Sequence, residues 1–408
     1  MSATSTMTAV PARALVPARQ AWGYPVLLTL MAVSLGVSGA PAPLYGLYEQ
    51  QWSLSPITTT LVFAAYAMAA LVAVLVAGPL SDRLGRRPVL LIAIATMIVG
   101  LVIFMTATNV IELFVARTLH GAAVGSTVVV GGAALLDLRP DHGARTGRLT
   151  GIFFNIGMAV TILSASVLAE YGPDPLVTPY AIIGVVVAVL LVAVLLMEET
   201  HLARTTSSFR IARPRVPGHI AHDFRFAALG VMASWSVLGV YLSLFPAFAA
   251  QSTGIHHVVF GGAIVAAMAG AAALSQAFSG PLTPKRAAVI GDIGTALALV
   301  LSIFALRSHH ASFVAVVVVL LGASFGLAFG GSLRHLGSVI PASERGEVMS
   351  AFYILAYSAM TVPTILAGWA ATEWGIAAIF PWFAAIVAVT CLLAALIGTR
   401  PDRRTKAA

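Results

Sequence analysis

The stretch Gly78-Pro79-Leu80-Ser81-Asp82-Arg83-Leu84-Gly85-Arg86-Arg87-Pro88 lies between two apolar runs, Thr58 to Ala77 and Val89 to Ala107. One acid, three arginines and two glycines crowd a turn bounded on both sides by hydrocarbon. Unpaired charge and irregular backbone are excluded from a bilayer core, so a turn of this kind belongs at the membrane–water interface. The runs on either side then read as a pair of transmembrane helices joined by a tight hairpin.

The rest of the chain has the same character. Its 408 residues are 59% hydrophobic and only 9% charged, where a soluble domain carries roughly a quarter charged residues. A span needs about 20 apolar residues. Twelve such segments can be marked, at 22–48, 56–80, 88–107, 110–136, 148–171, 177–197, 224–250, 257–279, 286–306, 311–336, 346–371 and 376–398. All are expected to be helices, because an isolated strand leaves its backbone unpaired in lipid.

The charges define the topology. With both termini cytoplasmic, the cytoplasmic pieces hold 21 of the 23 Lys and Arg residues, leaving Arg307 outside and Arg117 within a span. Glu49, Glu170, Asp174 and Glu373 fall on the outer side. This asymmetry follows the positive-inside rule and fits an even number of crossings. The formal charge of +8 is scattered over many loops and forms no extended basic face, so nucleic acid is not an expected partner. The single cysteine, Cys391, excludes an intrachain disulfide and a cysteine-based metal site.

The stretch from Glu198 to Asp223 is the longest interior polar segment and separates six spans from six. The two sets repeat one another. Gly78-Pro79-Leu80 recurs as Gly280-Pro281-Leu282, and Gly121…Gly125 as Gly322…Gly326. Gly131-Gly132 recurs as Gly330-Gly331, and Gly147…Phe153 as Gly346…Phe352. The organisation expected is a disordered tail at 1–21, a six-helix bundle at 22–197, a cytoplasmic linker at 198–223, a second bundle at 224–398 and a tail at 399–408.

The pattern Gly-x-Leu-x-Asp-Arg-x-Gly-Arg-Arg between the second and third spans resembles the loop motif of the major facilitator superfamily of transporters. Arg117 with Gly121 and Gly125 resembles that family's motif in the fourth helix. The resemblance implies an all-α membrane protein of twelve transmembrane helices in two pseudo-symmetric six-helix bundles. A substrate site would lie between the bundles near mid-membrane, in a monomer of the bacterial inner membrane. It also implies a conformational latch. Gly78 and Gly85 permit the turn, Asp82 faces the start of the eleventh helix, and Arg83, Arg86 and Arg87 supply charge, with Arg86 pairing to Asp137. The second half lacks the acid, reading Thr283-Pro284-Lys285-Arg286, so the latch is asymmetric. In the fifth span, Asn155 to Thr161 lacks the Gly-Pro pair of many drug/proton antiporters; Gly172-Pro173 lies at its outer end.

Several residues could carry chemistry. Arg117 is a full charge inside a span, which marks a functional site by default; the alternative is an arginine snorkelling to the outer surface beside Glu112 or Glu49. His120, one turn on, titrates near neutral pH when unperturbed and could carry a proton, or be a neutral histidine bonded within the bundle. Asp292 follows Arg286 by six residues, about 9 Å into its helix, and reads as an interfacial acid paired with a loop base. Tyr45, Tyr48 and Trp52 fit an aromatic belt at the interface. Trp235, Tyr241, Tyr353 and Tyr357 form aromatic stripes at helical spacing, with Asn155 and Gln276 as polar neighbours; these are candidates to line a substrate cavity or simply to pack.

No paired-carboxylate site, nucleotide-binding loop or metal-ligand histidine pair is present, so no enzyme, cofactor or metal is expected. The expected function is alternating-access transport driven by an ion gradient, with a proton coupled through Arg117 and His120 to efflux of a small organic compound. Proton-linked uptake of a metabolite and a non-transporting membrane sensor are the alternatives.

Overall fold

The computed structural model describes residues 21–201, 211, 213–341 and 343–400. Among the described residues, twelve helices are long and apolar enough to cross a membrane. They are α1 (Gly23–Trp52), α2 (Pro56–Leu84), α3 (Arg86–Thr106), α4 (Val110–Leu138), α5 (Arg145–Tyr171), α6 (Thr178–Leu196), α7 (Gly218–Ser243), α8 (Val258–Phe278), α9 (Pro284–Arg307), α10 (Ala311–Val339), α11 (Arg345–Trp374) and α12 (Ile376–Thr399). The expected tails, save Ala21, Thr399 and Arg400, and residues 202–210 and 212 of the expected linker lie outside the described residues.

Several helices extend beyond the apolar runs. Arg145 and Arg148 already belong to α5, and His222 and Asp223 to α7. Hydropathy marks the hydrocarbon thickness, whereas the backbone ladder continues into the polar interface. Starts are set by capping side chains. Ser55, Asn109 and Thr283 accept from the first free amides of α2, α4 and α9, as helix N-termini require.

Two helices break towards one face of the molecule. α1 is helical over Gly23–Gly39, tightens to a 3-10 turn at Ala42–Leu44 and resumes over Tyr45–Trp52. Pro41 and Pro43 supply no amide there, which interrupts the ladder. α7 stops at Ser243 and continues as a separate helix, Phe245–Thr253, with Pro246 in its first turn. The breaks occupy matching places in the two halves.

That correspondence holds throughout the packing. Within the first half α1 touches α4 and α5, α2 and α3 touch α4, and α3 touches α6; within the second, α7 touches α10 and α11, α8 and α9 touch α10, and α9 touches α12. Each pairing recurs six helices later. The halves meet where α2 packs on α11 and α5 on α8, two contacts that the same pseudo-twofold exchanges. α3, α6, α9 and α12 sit at the periphery and present exposed apolar side chains such as Ile92, Val189, Leu297 and Ile386, as a lipid-facing surface must.

Glycines bring the backbones together. A Cβ on Gly121 or Gly125 would stand 2.2 or 2.5 Å from the carbonyls of Tyr66 and Ala70 on α2. The counterparts Gly322 and Gly326 approach Met268 and Ala272 on α8 at 2.1 and 2.5 Å. In lipid no hydrophobic force drives helices together, so such close approach supplies much of the association. The Gly-Gly pairs diverge: Gly131 faces Met31 of α1, while Gly331 faces the start of α9.

Tyr45 and Tyr48 are not interfacial. Both are buried, and the Tyr48 hydroxyl lies 3.4 Å from that of Tyr180 on α6. The 3-10 turn rotates them inward, a displacement that hydropathy does not register. Trp22, Tyr171 and Trp374 are exposed instead.

Gly322→Val is expected to destabilise the protein by ~1–3 kcal/mol, the range for overpacking a close contact. Gly184→Val, where nothing lies within 4 Å, is expected to be neutral. Thermal unfolding in detergent compares them, and equal melting temperatures would show that the α8–α10 approach is not tight.

Candidate functional site

The charged turn closes at Gly85, whose φ of +102° only glycine adopts readily. A Cβ there would also stand 2.2 Å from the carboxylate of Glu199. Glu199 follows α6 and belongs to no sequence motif. Its Oε1 accepts from the Arg86 amide at 2.8 Å and its Oε2 from the Arg87 amide at 3.1 Å. The carboxylate therefore caps the positive end of α3. Arg87 reciprocates by donating to the Val194 carbonyl at 3.3 Å and to the Leu195 carbonyl, at the last turn of α6.

Arg86 is the centre of this turn. It is buried, and it reaches Asp82 Oδ1 at 2.6 Å, Ser81 Oγ at 2.5 Å and Asp137 Oδ2 at 3.3 Å. Asp82 is thus held inside the first half, with its side chain 47% exposed. Its ion-pair partner among the described residues is Arg86, one helical turn away. Arg83 is exposed, and Gly78 lies in ordinary contact with Val129 of α4.

The opposite face holds the two halves together. Glu170 at the end of α5 accepts from the amides of Val258 and Val259 at 2.6 and 3.3 Å, and lies 2.6 Å from His257 Nδ1. It caps the N-terminus of α8 from across the seam. The Ile57 amide at the start of α2 donates to Thr372 Oγ1 of α11 at 3.0 Å. Gly368 sits against Thr60, and Gly262 against Ser166, on the same two contacts.

Arg117 does not snorkel. It is 0% exposed, donates to the Ser38 carbonyl of α1 at 2.9 Å, and lies over the ring of Tyr66 at 4.4 Å and that of Phe63 at 5.5 Å. Glu112 is engaged elsewhere, accepting from the Thr108 amide at 2.6 Å as part of the α4 cap. Glu49 accepts from Thr59 Oγ1 at 2.6 Å. The guanidinium is met by a carbonyl and two π faces, a set able to hold a cation in low dielectric. His120 is equally buried but turns to α3, beside Gly100 and 5.1 Å from the Phe104 ring. Neither ring nitrogen of His120 has a hydrogen-bond partner among the described residues.

The expected cavity residues separate into three groups. Asn155 and Tyr241 line a small void at the seam with Met158, Leu238, Met268 and Phe325; it has room for about one water. The Tyr241 hydroxyl turns away from the seam, 3.3 Å from Ser302 Oγ on α9, because its ring stacks on Phe245 at 3.9 Å. Trp235 and Tyr357 meet edge to face at 4.7 Å, and Tyr353 lies one turn before Tyr357. Gln276 sits at the loop-motif end of α8, pressed between Gly151 of α5 and Gly330 of α10. A larger apolar groove of about 770 Å³ opens between α11 and α12 beside Met232, Pro363, Trp374 and Trp382. It faces away from the seam.

Asp292 is not interfacial either. It is 0% exposed, neither of its oxygens has a hydrogen-bond partner among the described residues, and Gly230 and Ser332 lie beside it. The helix face on which it lies packs inward, which six residues of spacing could not reveal.

Twelve spans, paired halves and this turn define a multi-pass membrane transporter. The sequence pattern of the Major Facilitator Superfamily matches residues 26–362, and the chain belongs to that superfamily. It is 28% identical over 327 residues to the tetracycline resistance protein, class C, of Escherichia coli, covering 75% of this chain and 78% of that one. It is 25% identical over 297 residues to the multidrug resistance protein MdtL of Shigella dysenteriae, covering 71% and 73%. Over 159 residues it is 30% identical to the 4-hydroxybenzoate transporter PcaK of Pseudomonas putida, covering 38% and 34%.

Glu199→Gln weakens the cap on α3 and is expected to lower stability by ~1–2 kcal/mol. Arg83→Ala, at an exposed position, is expected to leave it unchanged. Thermal unfolding of the two variants distinguishes a structural cap from a decorative charge.

Proposed function

We propose that the chain is a proton-coupled exporter of a small, largely apolar or weakly charged organic compound, working by alternating access. The observation that carries this reading is the contrast between the two faces. Hydrogen bonds from Glu170 and Ile57 join the halves at one face, while the charges of the loop motif at the other face bond within the first half. This is the arrangement expected when the loop-motif side is the side released. In the opposite state Asp82 would leave Arg86 and meet the start of α11, so Gly78, Asp82, Arg83, Gly85, Arg86, Arg87 and Asp137 act together as a latch. Both termini and the loop motif are placed in the cytoplasm, since the basic residues cluster there.

Export is favoured over uptake by the two long alignments, to proteins named for tetracycline and multidrug resistance. The shorter alignment, over a smaller part of the chain, is to a protein named as a 4-hydroxybenzoate transporter, a name that states no direction. The aromatic set Trp235, Tyr353 and Tyr357, with Asn155, Tyr241 and Gln276, is assigned to the cargo; few charges line it, which suits an uncharged or weakly charged molecule. Arg117 and His120 are assigned to coupling, because each is a titratable or charged group wholly inside the bilayer.

Transport is tested in proteoliposomes with an imposed pH gradient and a panel that includes tetracycline and 4-hydroxybenzoate. Export of a panel compound against its gradient, collapsing with a protonophore, is expected; uptake driven by an inward proton gradient would reverse the assigned direction. Asp82→Asn is expected to slow turnover roughly tenfold, a bias of ~1.4 kcal/mol between states, with unchanged cargo binding. Undiminished turnover would remove the latch. His120→Ala is expected to alter the pH profile of transport, and a superimposable profile would take His120 out of the coupling path.

A further inference from the structure

We propose that the second half holds a binding site for a monovalent cation, centred on Asp292 in α9. The site is distinct from Arg117 and His120, and it stands on geometry rather than on the transport reading. Asp292 is fully buried, and neither carboxylate oxygen has a hydrogen-bond partner among the described residues. Thr295, one turn on, and Ser332, on α10, are also fully buried, and their hydroxyl oxygens are likewise unbonded.

The hydroxyls are the informative part. Ser34, Ser234, Ser302 and Thr364 are buried in spans and donate to the carbonyl four residues back, at 2.7–2.8 Å. That is the ordinary resting place of a hydroxyl in a helix. Thr295 and Ser332 have the same option and do not take it. Gly230 of α7 shows that the Asp292 and Ser332 oxygens converge. A Cβ placed there would stand 3.0 and 3.2 Å from the two Asp292 oxygens and 3.1 Å from Ser332 Oγ. The absent side chain leaves that space to the oxygens.

Charge decides what the site takes. An uncompensated carboxylate in a dry interior is strongly unfavourable. The nearby cationic groups are committed. His335 on α10 lies 2.8 Å from Asp223 of α7, and Arg334 donates to the Gly330 carbonyl and to Ser279 Oγ. The remaining titratable neighbour is the buried thiol of Cys391 on α12. A single positive charge neutralises the cluster. A divalent metal would leave an excess and would want further carboxylates, and no group of three His, Cys, Asp or Glu converges among the described residues. An all-oxygen set is a hard-ion set. A proton on the carboxylate and an alkali ion among the oxygens meet the same requirement, and the experiment separates them.

The full-length protein, purified in detergent, is melted in chloride salts of sodium, lithium, potassium and choline at fixed pH and ionic strength, and then across pH. Infrared difference spectra follow the carbonyl stretch of protonated carboxyl groups. If the cation is sodium, sodium raises the wild-type melting temperature above choline, Asp292→Asn abolishes the rise, and Thr295→Val or Ser332→Ala requires roughly tenfold more sodium, as loss of one polar ligand implies. If it is a proton, the alkali ions are indistinguishable, and the wild type shows a protonated carboxyl band that titrates and disappears in Asp292→Asn. The Thr295→Val and Ser332→Ala proteins then shift that titration. The proposal is overturned if the melting curves ignore cation identity and the carboxyl band of Asp292 neither titrates nor responds to the hydroxyl variants. Should Asp292→Asn fail to fold, the two hydroxyl variants, which keep the acid, carry the test.

Discussion

Helices in a bilayer gain little by hiding apolar surface, since lipid is as apolar as they are. Their association has to come from close backbone approach and from polar groups that find no other partner. Both devices are visible here and occupy different places. Glycines press α4 onto α2 and α10 onto α8, fixing the interior of each half. Carboxylates cap helix starts across boundaries: Glu199 joins α6 to α3, and Glu170 joins the first half to α8. The first device makes rigid bodies. The second acts both within a half, at Glu199, and between the halves, at Glu170.

The halves share a scaffold but bury side chains of opposite acid–base character. The first buries a guanidinium, met by a carbonyl and two aromatic faces. The second buries a carboxylate whose oxygens have no hydrogen-bond partner among the described residues. Repetition therefore supplies the frame, and departures from it supply the chemistry. The same holds for the turn after the second helix of each half, which keeps Gly-Pro-Leu in both but the acid in only one.

Fold was legible in the sequence because it rests on features with a one-dimensional signature. Apolar length marks the spans, arginine placement marks the sides, and Gly121…Gly125 against Gly322…Gly326 marks the repeat. The candidate site was legible only where spacing implies contact. Arg86 and Asp137 lie 51 residues apart, yet the resemblance brought them together, and they meet at 3.3 Å. What could not be read depends on rotation about a helix axis or on a turn between helices. Tyr45 and Tyr48 face inward because a 3-10 turn rotates them. His120 and Arg117 are a turn apart but point to different neighbours, α3 and α1. Glu199 carried no local signal at all, for an acid after a helix looks like any polar linker until its distant amides are known.

The burial of Arg117 also bears on how the chain enters its membrane. An arginine at the centre of a helix opposes insertion by about 2.5–3.5 kcal/mol; Arg117, two turns into α4, bears a smaller share of that cost but still makes α4 a costlier span in isolation. Its partners, the Ser38 carbonyl and the rings of Phe63 and Tyr66, all precede it on the chain. As the ribosome delivers α4, the surface that accepts its charge has already been synthesised. Asp292 is served differently: Gly230 comes before it, but Ser332 and Cys391 come after. The surroundings of Asp292 are therefore complete only once the last helices of the chain have emerged, the reverse of the order that serves Arg117.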